Sequence, residues 1–364
     1  MGPYPSGLIR KSTLISNFIL CNLSSGQMPT LKAIFEQQVP PRYLKQKFQD
    51  CAAYNKQPDL LKSLNDADAP DEYKSLVLKL FIQQIESQSR FIHEDISEAY
   101  AHIMSHGQCK QEKEKMGIYS PDNIVHYSMN ENIKISIVEN PNVISSQGST
   151  GYRTWEASLA LLECMLSFAN RELKARLKGV TDPVLQQLGI GFELLKEMAV
   201  VELGAGTGLA GLMICKLSGR NAILTDGDED VVAQLQRNIE LNSLQTKCQA
   251  QRLYWGKNAA VTAEPGRQQV VLAADVTYDP DAAPLLVTTI KEFLTKTDTR
   301  FCLVSATVRS TDTFNAFMRE CKKKSIKVVH IEHYSSPFDN LHFFVEENTP
   351  DILVLGLTLE AKHV

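Results

Sequence analysis

A chain of 364 residues, 43% hydrophobic and 22% charged, is long enough for a large core and about two domains. Its formal net charge of −4 argues against a nucleic-acid-binding domain, which is usually basic. No apolar run reaches the length of a membrane span. The eight cysteines, no two closer than 19 residues, exclude a Cys-x-x-Cys zinc or redox site.

Residues 1–30 read as an extension without clear structure. The first 35 residues hold no acid, carry Arg10, Lys11 and Lys32, and are rich in serine. A targeting segment and a disordered start both fit. Residues 31–125 read as a helical accessory domain with a linker. Leu44, Phe48, Cys51 and Ala52 share one face after Pro40-Pro41. Pro70-Asp71 opens a second helix with Tyr73, Val77, Leu80, Phe81 and Ile85 on one face, and Ile96, Tyr100 and Ile103 repeat the pattern. His102 and His106, one turn apart with Cys109 nearby, could form a metal face. Polar side chains on an exposed helix end explain them equally well, and no metal is expected. The charged run from Gly107 to Gly117 reads as a solvated linker.

Residues 126–364 carry a different pattern. Ile133, Ile135 and Ile137 alternate with polar residues; a turn at Asn140-Pro141-Asn142 and Val143-Ile144 complete an expected β-hairpin. After a glycine-containing loop, Thr154 can cap a helix with Trp155, Leu159, Leu162 and Leu166 on one face. An apolar run from Met198 to Leu203 contains Glu202. Gly204, Ala205, Gly206, Thr207 and Gly208 follow, and a helical pattern begins at Leu209. Strand, glycine turn and helix start is how an open α/β sheet makes a ligand crevice. The turn lacks the Gly-Lys-Ser/Thr of a P-loop. Gly206, Gly208 and Gly211 match a dinucleotide fingerprint. Glu202, two residues before Gly204, instead gives the Glu-Leu-Gly-x-Gly-x-Gly pattern of S-adenosylmethionine enzymes. A purely structural turn remains a third reading.

A second strand, Asn221 to Thr225, ends at Asp226, 20 residues after Gly206. An acid there hydrogen-bonds ribose hydroxyls in nucleotide-binding folds. Asp228 is better placed to cap the next helix. A third strand, Cys248 to Leu253, ends beside Trp255, whose ring can stack on adenine. The fourth, Val270 to Ala274, is continuously apolar as a buried parallel strand requires. It ends in Asp275-Val276-Thr277-Tyr278, an acid and a phenol three residues apart. The fifth strand is Phe301 to Ser305. A helix from Thr311 to Lys323 and two closing strands, Lys327 to His333 and Ile352 to Thr358, complete the pattern. The expected fold is an α/β class I methyltransferase, a Rossmann-like seven-strand sheet with an N-terminal helical domain.

Residues 130–360 resemble methyltransferase family 16, the seven-strand lysine methyltransferases marked by Asp-x-x-Tyr. The carrying residues are Thr150-Gly151, Thr154-Trp155, Glu202 to Gly208, Ala274-Asp275 with Tyr278, and Thr307-Val308-Arg309. The Thr-Gly-x-x-Thr-Trp and Thr-Val-Arg signatures resemble the elongation factor 2 lysine methyltransferase branch. The resemblance implies that Trp155, Glu202, Gly204, Ala205, Gly206, Gly208, Asp226, Trp255 and Ala274 meet S-adenosylmethionine. It also implies that Asp275 and Tyr278 meet the substrate lysine, and that the partner is a protein, with neither nucleic acid nor membrane bound. Cys164, Cys215 and Cys302, in apolar runs, point to buried thiols and a reducing compartment, the cytoplasm. Two other readings stay open. Another protein could be the substrate, or the fold could serve as a binding module that methylates nothing. A dinucleotide oxidoreductase leaves Asp275-x-x-Tyr278 unexplained.

Overall fold

A computed structural model describes residues 29–107, 123–130, 132–139, 150–167, 197–256, 258–336, 341–343, 345 and 348–360. Toward the N-terminus, helices Leu31–Glu36 (α1), Lys45–Cys51 (α2), Gln57–Asn65 (α3), Asp71–Ser87 (α4) and Glu94–Gly107 (α5) enclose a core of their own. Val77, Phe81 and Ile85 in α4 recur every four residues and are fully buried. Leu78 joins them, while Leu80 is only partly covered. Asp71 and Glu72 sit in the first turn of α4, where negative charge complements the helix dipole. Helices α1 and α3 are elements the sequence reading did not identify.

Strands Ile124–Asn130 (β1) and Ile133–Val138 (β2) form an antiparallel hairpin, with Ile133, Ile135 and Ile137 buried. The expected hairpin put the partner strand at Val143-Ile144, beyond a turn at residues 140–142; those residues lie outside the described set. The partner of β2 is the preceding segment, where Val125, Tyr127 and Met129 alternate with His126 and Ser128, a strand pattern the sequence reading passed over. This hairpin ties the helical part to the sheet. Gln38 Nε2 donates to the Ile124 carbonyl at 2.8 Å, Ser128 Oγ to Glu36 at 2.9 Å, and His126 Nε2 lies 3.0 Å from Asp68.

The remaining strands make one seven-stranded sheet. They are Ala199–Leu203 (β3), Ala222–Asp226 (β4), Cys248–Arg252 (β5), Gln269–Ala274 (β6), Thr299–Thr307 (β7), Ile326–Tyr334 (β8) and Ile352–Leu359 (β9). Their order is β5-β4-β3-β6-β7-β9-β8, parallel except for β9, which is antiparallel to both neighbours. Helices Glu156–Ser167 (α6), Leu209–Ser218 (α7) and Glu229–Leu241 (α8) contribute to the core on one face. Ala283–Lys296 (α9) and Thr311–Lys323 (α10) cover the other. Both faces being covered explains why β3 and β6 read as largely apolar runs rather than alternating ones. Val200, Val270 and Leu272 face one layer; Val201, Val271 and Ala273 face the other. The strand order reverses between β3 and β6, so their carboxyl ends diverge and leave a crevice there.

Candidate active site

The carboxyl ends of β3, β4 and β6 open onto one cavity of about 740 Å³. It brings together Trp155, Glu202, Gly204, Ala205, Gly206, Asp226, Trp255, Ala274, Asp275 and Tyr278. Gly208 is the one expected contact outside that lining. It caps α7 with φ 81°, and a Cβ there would stand 2.6 Å from Leu235. Gly208 is therefore a packing glycine between α7 and α8.

The glycine turn works through shape. Gly204 has φ 61°, and a Cβ on it would lie 2.8 Å from Val276 and 3.2 Å from the Trp255 ring. Its N–H groups are not left for a ligand. Ala205 N–H donates to the Thr225 carbonyl at 2.8 Å, and Gly206 N–H to the Asp226 carboxylate at 3.1 Å. The Gly211 N–H, in the first turn of α7, donates to Glu202 Oε2 at 2.9 Å. A pyrophosphate cradle needs free N–H donors. Here the Ala205 N–H is taken by a backbone carbonyl and those of Gly206 and Gly211 by carboxyl groups, which fits a ligand without phosphates better than a dinucleotide.

Glu202 is 1% exposed, and burial pushes its pKa up to about 8, partly offset by the Gly211 N–H. Its role in the structure is to receive the first turn of α7 from below. Asp226 ends β4; burial raises its pKa, and the backbone N–H groups of Asp228 and Gly206 oppose the rise. Asp228 caps α8, accepting from the N–H groups of Asp230 and Val231. Asp226 is thereby free of the capping role and faces the cavity.

Beside the turn, the next wall of the cavity is a loop held by a buried carboxylate. Glu139, 4% exposed, accepts hydrogen bonds from the Tyr127 hydroxyl and the Thr154 N–H. The Thr154 hydroxyl meets Thr207 Oγ1 at 2.7 Å. Thr154 was expected to cap α6; instead it joins that loop to the glycine turn. Trp155 Nε1 donates to the Thr150 carbonyl at 3.0 Å, which fixes the ring against the cavity.

At the end of β6, Asp275 takes φ 56°, a left-handed conformation that Asp tolerates better than most residues. Its N–H donates to the Ser305 carbonyl on β7 at 2.8 Å. Its carboxylate is 7% exposed and engages Arg309 through both oxygens. Tyr278 is 57% exposed at the cavity edge. Arg309 and Arg153 also line the site, with guanidinium carbons 5.1 and 5.0 Å from the Trp155 ring centre. Neither arginine was assigned a site role from sequence. The available signal was the Thr307-Val308-Arg309 motif directly after the fifth apolar run; that it stands beside Asp275 depends on β7 pairing with β6. Among the described residues, no group of three His, Cys, Asp or Glu could hold a metal; Cys109 lies outside them.

Sheet order, glycine turn, strand-end acid and aromatic walls define a class I S-adenosylmethionine-dependent methyltransferase. The residues fit that cofactor: Gly204 lets the turn pack close under the Trp255 ring, and Asp226 ends β4 at the cavity. A family model described as lysine methyltransferase matches residues 130–324, more than half of the chain, and the chain belongs to that family. It is similar to protein-lysine N-methyltransferase EFM3 of Saccharomyces cerevisiae, 36% identical over 212 residues, covering 56% of this chain and 58% of that protein. It is also similar to the EFM3 of Chaetomium thermophilum, 29% identical over 277 residues, covering 71% of this chain and 75% of that one. Protein-lysine N-methyltransferase EEF2KMT of Mus musculus is 27% identical over 234 residues, covering 60% of this chain and 62% of that one.

Proposed function

We propose that this protein transfers a methyl group from S-adenosylmethionine to a lysine ε-amine of a protein, and that the protein is translation elongation factor 2. One observation carries the reading: Asp275 and Tyr278 share a single cavity with Trp155, Gly204, Asp226 and Trp255. Trp155, Gly204, Ala205, Gly206, Asp226, Trp255 and Ala274 are assigned to the cofactor, Asp275 and Tyr278 to the lysine. When bound, S-adenosylmethionine supplies an electrophilic methyl on a positively charged sulfur.

The chain must present a neutral amine. A free lysine has a pKa near 10.4, so only about one in 2,500 is neutral at pH 7. Asp275 orients an N–H of the amine, and Tyr278 offers a second acceptor and a ring face for a methylated ammonium. Most of the acceleration on this reading is positional. Elongation factor 2 is supported by the Thr150-Gly151 to Thr154-Trp155 and Thr307-Val308-Arg309 signatures and by the likeness to enzymes named EFM3 and EEF2KMT. A reducing compartment, the cytoplasm, is proposed with it, supported by the buried free thiols Cys164, Cys215 and Cys302.

The test is incubation of the purified protein with labelled S-adenosylmethionine and purified elongation factor 2, followed by mass spectrometry. Label on one lysine is expected. Label on another lysate protein, with none on elongation factor 2, would reject the substrate and keep the chemistry.

A further inference from the structure

Asp275 does not meet the cavity as a bare carboxylate. Arg309 Nη1 donates to Oδ1 at 2.9 Å and Nη2 to Oδ2 at 2.7 Å, a two-pronged and directional pair. The Asp275 backbone is held by its bond to Ser305, and the Arg309 guanidinium lies beside Trp155. The other charged or titratable groups around the cavity have partners of their own or stand at its rim, where Tyr254 lies exposed with the Arg252 guanidinium over its ring. Arg153 pairs with Glu156, Asp226 accepts two backbone N–H groups, Asp228 caps α8, and Glu202 receives Gly211. Tyr278 is the phenol on the β6 side.

A lone carboxylate would be a poor partner for a nucleophilic lysine. An opposite charge within about 4–6 Å raises an amine pKa by about 1–3 units. The resulting ammonium has no lone pair with which to attack. On the lysine-transfer reading, we propose that Arg309 is a positioning residue whose charge cancels that of Asp275, so that the incoming lysine is accepted as a neutral amine. The paired carboxylate keeps lone pairs that can accept an N–H. Its net field, shared with the guanidinium, no longer holds a proton on the amine. Arg309 stays in place as substrate binds, because withdrawing it would strip a buried carboxylate of its counter-charge.

The experiment has two readouts on the intact protein. The first is the pH dependence of single-turnover transfer to elongation factor 2. The second is the proton count on substrate binding, by calorimetry in two buffers of different ionisation heat. The reference is the same substrate with its target lysine, mapped from the wild-type product, replaced by methionine. At about pH 7.5 wild type should release close to one more proton with the lysine substrate than with the reference. Arg309→Gln should release fewer, and its acid limb should move up by about 1–3 pH units. Arg309→Lys restores the charge and should return most of the limb.

An Arg309→Gln limb coinciding with wild type would overturn the role of Arg309. So would parallel profiles for both variants, or a wild-type proton count equal to the reference. If Arg309→Gln does not fold, the wild-type count and Arg309→Lys decide. A wild type that transfers nothing to any lysine defeats the reading of the site; transfer with an unshifted limb defeats only Arg309.

Discussion

The two ends of the cavity are built by different means. At the glycine end the backbone does the work. Gly204, Gly206 and Gly208 hold left-handed φ values of 61°, 53° and 81°, and the N–H groups of Ala205 and Gly206 are bonded inward. At the acceptor end side chains do it, through Asp275 and Arg309, 34 positions apart, with Tyr278 exposed beside them. Shape selects a cofactor that is always the same molecule. Charge balance governs an amine whose protonation state decides whether it reacts.

The largest effect on transfer should come from separating those ends. Asp275→Asn keeps the tolerated left-handed backbone and removes the charge. Steady-state kinetics should show transfer falling by about 10²-fold or more, with S-adenosylmethionine affinity by calorimetry within about threefold of wild type. Loss of cofactor affinity in parallel with transfer would break the division.

Glu202 sharpens it through stability. Burial raises its pKa from 4.5 to about 8, so the folded chain keeps a proton that the unfolded chain releases between those values. The stability this group lends is complete below the lower value and is lost as pH rises through the upper. Glu202→Gln keeps an acceptor for the Gly211 N–H and removes the titration. Urea unfolding without cofactor should match wild type at low pH. At about pH 8.5 the variant should be more stable by up to roughly 4–5 kcal/mol, nearly the whole difference between the two values. A large fall in cofactor affinity would return Glu202 to the direct contacts.

The smallest effect is expected at the glycine end itself. Gly204→Ala should cost the fold about 1–2 kcal/mol, and its methyl, pressed against the Trp255 ring, should distort that wall and weaken S-adenosylmethionine by about tenfold. The pH profile of the chemical step should not move. A shifted profile would show that the two ends are coupled.

Much of this was legible in the chain. The presence of all seven sheet strands and their approximate place in the chain, the acids at the ends of β4 and β6, and helix Thr311–Lys323 follow from runs of apolar residues closed by turn or capping chemistry. Asp228 rather than Asp226 as the cap of α8 followed from spacing alone. The hairpin partner did not, although Val125, Tyr127 and Met129 alternate with His126 and Ser128, because the turn at residues 140–142 offers a competing hairpin on the other side of β2. Helices α1 and α3 are short, six and nine residues, and offer few periods to detect.

Local pattern thus determined which segments are strands and which residues stand at their carboxyl ends, because periodicity and turn chemistry act over a few residues. Tertiary structure alone decided the partners. The Arg309–Asp275 pair exists because β7 lies next to β6. Glu139 reaches Thr154 because the hairpin packs against the cavity loop, and Glu202 meets Gly211 because α7 crosses β3. Contacts between distant positions depend on strand order and close packing, which no short window of residues contains.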